Sequence, residues 1–118
     1  MQYLLMIYSD ESLYAPETKT DPAVLQEITA GHMRLGAELH EKGAWVGGDR
    51  LKPSDTATTV RTLGGVQSLH DGPYAETREQ LAGYYVVEAP DLDAAIGWAK
   101  KIPGGPNYAV EVRPIHMM

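Results

Sequence analysis

The hydrophobic positions of this chain follow two periods, and the places where one gives way to the other mark its elements. Tyr3 to Tyr8 is apolar throughout, with Tyr3, Leu5 and Ile7 on one face of a strand and Leu4, Met6 and Tyr8 on the other. A strand coated on both sides must be covered on both sides. The period then lengthens. Leu25, Ile28, His32, Leu35 and Leu39 recur at spacings of three and four, one stripe of a helix. Asp21-Pro22 supplies its start, an N-cap followed by proline at the first helical position, and Lys42-Gly43 its stop.

A second strand spans about Ala44 to Leu51 and is broken by Pro53-Ser54-Asp55. The β-branched run Thr56 to Leu63, the Gly64-Gly65 turn and Val66 to His70 predict a hairpin. Leu81 to Ala89 is a further strand. Asp91 caps a second helix with the stripe Leu92, Ala95, Ile96, Ala99 and Ile102, which ends at Pro103-Gly104-Gly105-Pro106, and Tyr108 to Arg113 closes the chain as a strand.

This order predicts an α+β fold, a ferredoxin-like sandwich with an antiparallel sheet, two helices on one face and an inserted β-hairpin. Tyr84, Val86, Val46 and the two-sided first strand make the second face apolar too. A monomer seldom exposes a patch of that size, so the expectation is a homodimer with its sheets packed face to face.

Composition narrows the function more than the fold. The 118 residues suit a single domain, residues 1–118, which buries roughly two-thirds of its unfolded surface. A formal charge of −6 with scattered Lys and Arg argues against nucleic acid. The adjacent pair Lys100-Lys101 falls in the last turn of a helix, where it complements the dipole. Cysteine is absent, which excludes disulfides, thiolate metal sites and cysteine nucleophiles. The apolar start is short, lacks a basic leader and ends at Ser9-Asp10-Glu11, so it reads as a strand and not a signal peptide. No apolar run reaches membrane-spanning length. A cytoplasmic protein is the expectation, without membrane partners.

Three places hold candidate chemistry. His32 occupies a core-facing slot that Leu would fill at lower cost, and a buried neutral imidazole needs a partner for each ring nitrogen. It reads either as a core histidine bonded to backbone or as a functional group. Asp71-Gly72-Pro73 is strong turn chemistry that sets an exposed carboxylate before the long strand, and it reads either as a plain hairpin turn or as a functional one. His70 points away from Asp71 by strand alternation, His40 sits roughly 80° off the His32 face, and His116 is in the tail. No pair of histidines has metal-ligand spacing on one element, so no metal and no cofactor is expected. Gly47-Gly48 and Gly64-Gly65 lack the spacing of phosphate loops and read as a bulge and a turn. Glu111 and Arg113 share one face of the last strand, with Glu88 beside them. They form either a structural ion pair or a receptor for a substrate carboxylate or enolate.

Asp71-Gly72-Pro73-Tyr74-Ala75-Glu76-Thr77-Arg78-Glu79-Gln80-Leu81-Ala82-Gly83 resembles the signature of the DGPF subgroup of the YCII-related domain family, with Tyr74 where the family usually has Phe. The resemblance extends to Tyr3–Tyr8, Val46-Gly47-Gly48, Asp91-Leu92-Asp93-Ala94-Ala95 and Val110–Ile115. It implies a dimeric α+β barrel and a catalytic pair formed by His32 and Asp71; the substrate-binding candidates beside that pair are Tyr74, Glu111 and Arg113. The activity it points to is that of a cofactor-independent lyase or isomerase acting on a small organic ligand. A carboxylate on one imidazole nitrogen would fix the tautomer and raise the basicity of the other. Genes of this subgroup often lie beside alternative sigma factors. The alternative is therefore a non-catalytic ligand-binding or regulatory accessory module.

Overall fold

The alternation along the first strand sets the architecture. In the computed structural model, which describes residues 1–12 and 21–117, that strand is β1 (Gln2–Asp10), with Tyr3, Leu5, Ile7 and Ser9 buried and Leu4, Met6 and Tyr8 half-buried. It is followed by α1 (Pro22–Glu41), β2 (Trp45–Arg50), a 3-10 turn (Ser54–Thr56), β3 (Thr58–Leu63), β4 (Val66–Asp71), β5 (Glu79–Glu88), α2 (Leu92–Lys100) and β6 (Tyr108–Pro114). Four strands form one sheet in the order β2-β5-β1-β6, with every neighbour antiparallel. The chain is α+β, and this order is that of a ferredoxin-like fold.

The helix signals act as read. Asp21 accepts the Ala23 N–H at 2.8 Å and Asp91 accepts the Ala94 N–H at 2.9 Å, so each helix begins on a satisfied side-chain cap. Gly43 leaves α1 at φ +69°, a left-handed turn that lets its own N–H reach His40 O and the Ala44 N–H reach Leu39 O. Leu35 and Leu39 of α1 and Ala95 of α2 then meet Tyr3, Leu5, Ile7, Tyr85 and Val87 of the sheet in one core, closed by Ile102. Both helices thus cover a single face. Each fully buried side chain such as Leu5, Leu39 or Val87 contributes roughly 1.5–3 kcal/mol.

Neither helix covers the opposite face, where Leu4, Met6, Tyr8, Tyr84 and Val86 are half-buried. β3 and β4 stand apart from the main sheet as a separate two-stranded antiparallel ribbon, turning at Gly64-Gly65. Val60, Leu63, Val66 and Leu69 on it are more than half exposed. The ribbon begins at Thr58 and not at Thr56. Thr56 instead turns back on Pro53, its N–H and its hydroxyl both donating to the Pro53 carbonyl.

Candidate functional site

Between α1 and the β2–β5 edge of the sheet lies a cavity of about 370 Å³, with the 103–105 loop as a further wall. Its walls are mainly apolar, formed by Ile7, Ile28, Met33, Trp45, Leu51 and Pro103. Trp45 stands edge-on to Tyr85 with ring centroids 5.9 Å apart, and His40 stacks on Trp45 at 4.7 Å. His40 Nδ1–H donates to Gly36 O at 2.7 Å, which fixes that stack.

The polar centre of the cavity is His32 with Tyr85. The His32 Nδ1 and the Tyr85 hydroxyl are 2.6 Å apart, and the two rings are nearly parallel with centroids at 5.8 Å. Two elements make this contact. His32 replaces an aliphatic residue on the α1 stripe, and Tyr85 occupies a helix-facing position of β5, opposite Leu5. Gly48 lies opposite Tyr85 on β2, and a Cβ there would sit 2.8 Å from Tyr84 O and 3.0 Å from Tyr85 Cδ1. No other residue type fits without moving the tyrosine.

Burial lowers the pKa of His32 below its ordinary value of 6.5, and the positive charge of Arg50 pushes in the same direction against an opposing effect of the Pro103 backbone. Burial raises the Tyr85 pKa. Near neutral pH the pair is therefore an uncharged imidazole against an uncharged phenol. In the tautomer whose Nδ1–H donates to Tyr85, such an imidazole keeps the Nε2 lone pair and can accept a proton there.

The other residues singled out in the sequence lie elsewhere. Asp71 ends β4, opposite Thr58, and is exposed on the ribbon; it is not part of the four-stranded sheet that the α1 stripe faces. It does not line the His32 cavity. Tyr74 is 76% exposed, and its ring carries the Arg61 guanidinium at 5.1 Å. Glu111 and Arg113 sit opposite Met6 and Leu4, on the face away from the helices, and form an ion pair with each other at 2.6 Å. Among the described residues, no three His, Cys, Asp or Glu side chains gather to hold a metal ion.

The YCII-related domain profile matches residues 1–118. An uncharacterized protein of Rhizobium meliloti (strain 1021) is 33% identical over 120 residues, an alignment spanning 98% of this chain and 92% of that one. The chain belongs to the YCII-related domain family. Within this YCII-related chain the side chain that meets His32 is Tyr85, which sequence reasoning passed over. A signal for it existed. Tyr85 alternates with Val87 on the buried side of its strand, and a buried tyrosine hydroxyl requires a partner. The facing helix offers one polar side chain on its apolar stripe, His32.

Proposed function

We propose that this protein is a cofactor-independent enzyme of the DGPF subgroup that moves a proton on a small organic substrate, in a lyase- or isomerase-type reaction. The observation that carries this reading is the 2.6 Å contact between His32 and Tyr85 in a largely apolar cavity of about 370 Å³. In one tautomer Nδ1–H donates to the Tyr85 oxygen, leaving the Nε2 lone pair as the base. The Tyr85 hydroxyl then donates its own hydrogen to a substrate carbonyl. The substrate C–H proton passes to Nε2, and the electron pair it leaves becomes an enolate held by the tyrosine. Returning the proton to another carbon completes an isomerisation, and loss of a leaving group from the enolate completes an elimination.

The test is proton exchange. Purified protein in D₂O with a panel of small ketones and lactones should exchange the α-hydrogen of a substrate, followed by proton NMR. His32→Gln should abolish the exchange and Tyr85→Phe should slow it. Exchange no faster than in buffer, or unchanged in His32→Gln, overturns the reading.

The same reading includes a homodimer of the α+β barrel type, joined through the sheet face that bears Leu4, Met6, Tyr8 and Val86. Sedimentation equilibrium at micromolar concentration should give about twice the chain mass, and a monomer removes that interface. Asp71 and Tyr74, on the ribbon, belong to this reading through the ribbon of a second copy. A loss of exchange in Asp71→Asn supports that route, and unchanged exchange takes Asp71 out of the site.

A further inference from the structure

Two cations line the His32 cavity without a direct ion-pair partner among the described residues. Arg50, the last residue of β2, and Lys52, just beyond it, both contribute to the wall. Among the described residues neither forms an ion pair, although the chain carries an excess of six acidic groups. Two carboxylates also line the cavity, and both are engaged elsewhere. Asp49 accepts from the Tyr84 hydroxyl at 3.0 Å. Glu11 accepts the Ser54 N–H at 2.9 Å and the Ser54 hydroxyl as well.

That second engagement also shapes the site. Glu11 ties down Ser54, and the Leu51 N–H donates to Ala82 O at 2.8 Å, so the segment bearing Lys52 is anchored at both ends. Arg50 lies opposite Gly83, which contributes no side chain, and Gly83 in turn lies opposite Ile7. No side chain therefore stands on the sheet between Arg50 and the buried Ile7, and Gly83 itself lines the cavity. An arginine beside an open apolar cavity offers a planar pair of N–H donors that matches a carboxylate in two parallel hydrogen bonds.

We propose that Arg50, assisted by Lys52, makes this cavity a site for a small organic carboxylate, with the anionic group at Arg50 and an apolar body lying among Trp45, Ile28 and Leu51. The inference rests on reading the His32 cavity as a ligand site. It does not require His32 to accept a proton. It assigns to Arg50 the carboxylate-receiving role that residue type alone would equally allow Arg113. Arg113 is already neutralised by Glu111 on the other side of the sheet.

The test uses two probes of the same shape, phenylacetate and its neutral amide, with binding read by isothermal titration calorimetry and by Trp fluorescence. The carboxylate should bind wild type more tightly than the amide, and added salt should weaken it more. Arg50→Gln should weaken phenylacetate tenfold or more, about 1.4 kcal/mol, and leave the amide unchanged. Lys52→Gln should act in the same sense with a smaller factor, and Arg113→Gln should change neither. Equal affinity for the two probes, equal loss of both in Arg50→Gln, or binding of neither at millimolar concentration overturns the proposal. Catalysis is scored separately by proton exchange. Selective carboxylate binding with no exchange leaves the anion site standing and removes only the proton-transfer reading.

Discussion

The two faces of the sheet use the same strands and similar residue types, and they do different work. On the helix side, β1 and β5 present Tyr3, Leu5, Ile7, Tyr85 and Val87 to Leu35 and Leu39, and His32 meets Tyr85 at the border of that apolar core. On the other side Leu4, Met6 and Val86 alternate with charged groups that pair with one another, as Arg113 does with Glu111. Arg50 and Arg113 state the contrast most simply. One borders a cavity with no partner among the described residues, and the other is matched by a carboxylate two positions away. A charge is available for binding when its surroundings have left it unmatched. Residue type and strand position do not decide that.

The largest effect expected from this contrast is in packing. Leu39→Ala should cost about 2–5 kcal/mol, read as a fall in the urea midpoint with an unchanged slope. Leu4→Ala on the open face should lower stability in a manner that depends on protein concentration, because it acts on the proposed interface. If Leu4→Ala costs as much as Leu39→Ala at every concentration, the two faces do not differ as described.

Next in size is the polar pair. His32→Leu leaves the hydroxyl of the buried Tyr85 without its partner and should destabilise by roughly 1–3 kcal/mol. The double variant His32→Leu with Tyr85→Phe should recover much of that loss, since an apolar pair replaces a broken hydrogen bond. Stabilisation by His32→Leu alone would show that the contact is retained for function at a cost to the fold.

A smaller effect is set by pH. Burial keeps the folded His32 below 6.5, so the unfolded chain takes up this proton first as pH falls. The stability tied to the neutral ring is full above about pH 6.5 and declines as pH falls through the folded pKa. His32→Gln should flatten that part of the profile in urea titrations taken at successive pH values. A profile unchanged in the variant would show that other groups set it.

The smallest effect belongs to the exposed ion pair. Arg113→Ala should change stability by less than about 0.5 kcal/mol, as surface pairs do, and leave the His32 cavity unaffected. A loss of 2 kcal/mol or more would mean that this face is buried in the assembly and that its charges are desolvated there.

Much of the fold was legible because its signals are local. Asp21-Pro22, Lys42-Gly43 and Asp91 bound the helices through groups within a few residues of each other, and the alternation in Tyr3–Tyr8 follows from strand geometry alone. Placing His32 on the buried stripe of α1 needed nothing beyond the helical period. Its partner was another matter. His32 and Tyr85 are 53 positions apart, and their contact depends on how α1 lies across β5. The end of α1 and the bulge between Trp45 and Gly47 bring Gly48 opposite Tyr85 and Arg50 opposite Gly83.

The same holds for the residues that fell outside the cavity. Asp71 carries strong turn chemistry, which fixes its local conformation and says nothing of which sheet its strand joins. Glu111 and Arg113 share a strand face in any register, but the pairing of β6 with β1 turns that face away from the helices. The sequence by itself determined the elements, their caps and the family, because these rest on interactions between near neighbours or on the pattern of the whole chain. The tertiary structure alone decided which polar groups share a cavity and which charges there lack an ion-pair partner among the described residues, because both depend on contacts between residues remote in sequence.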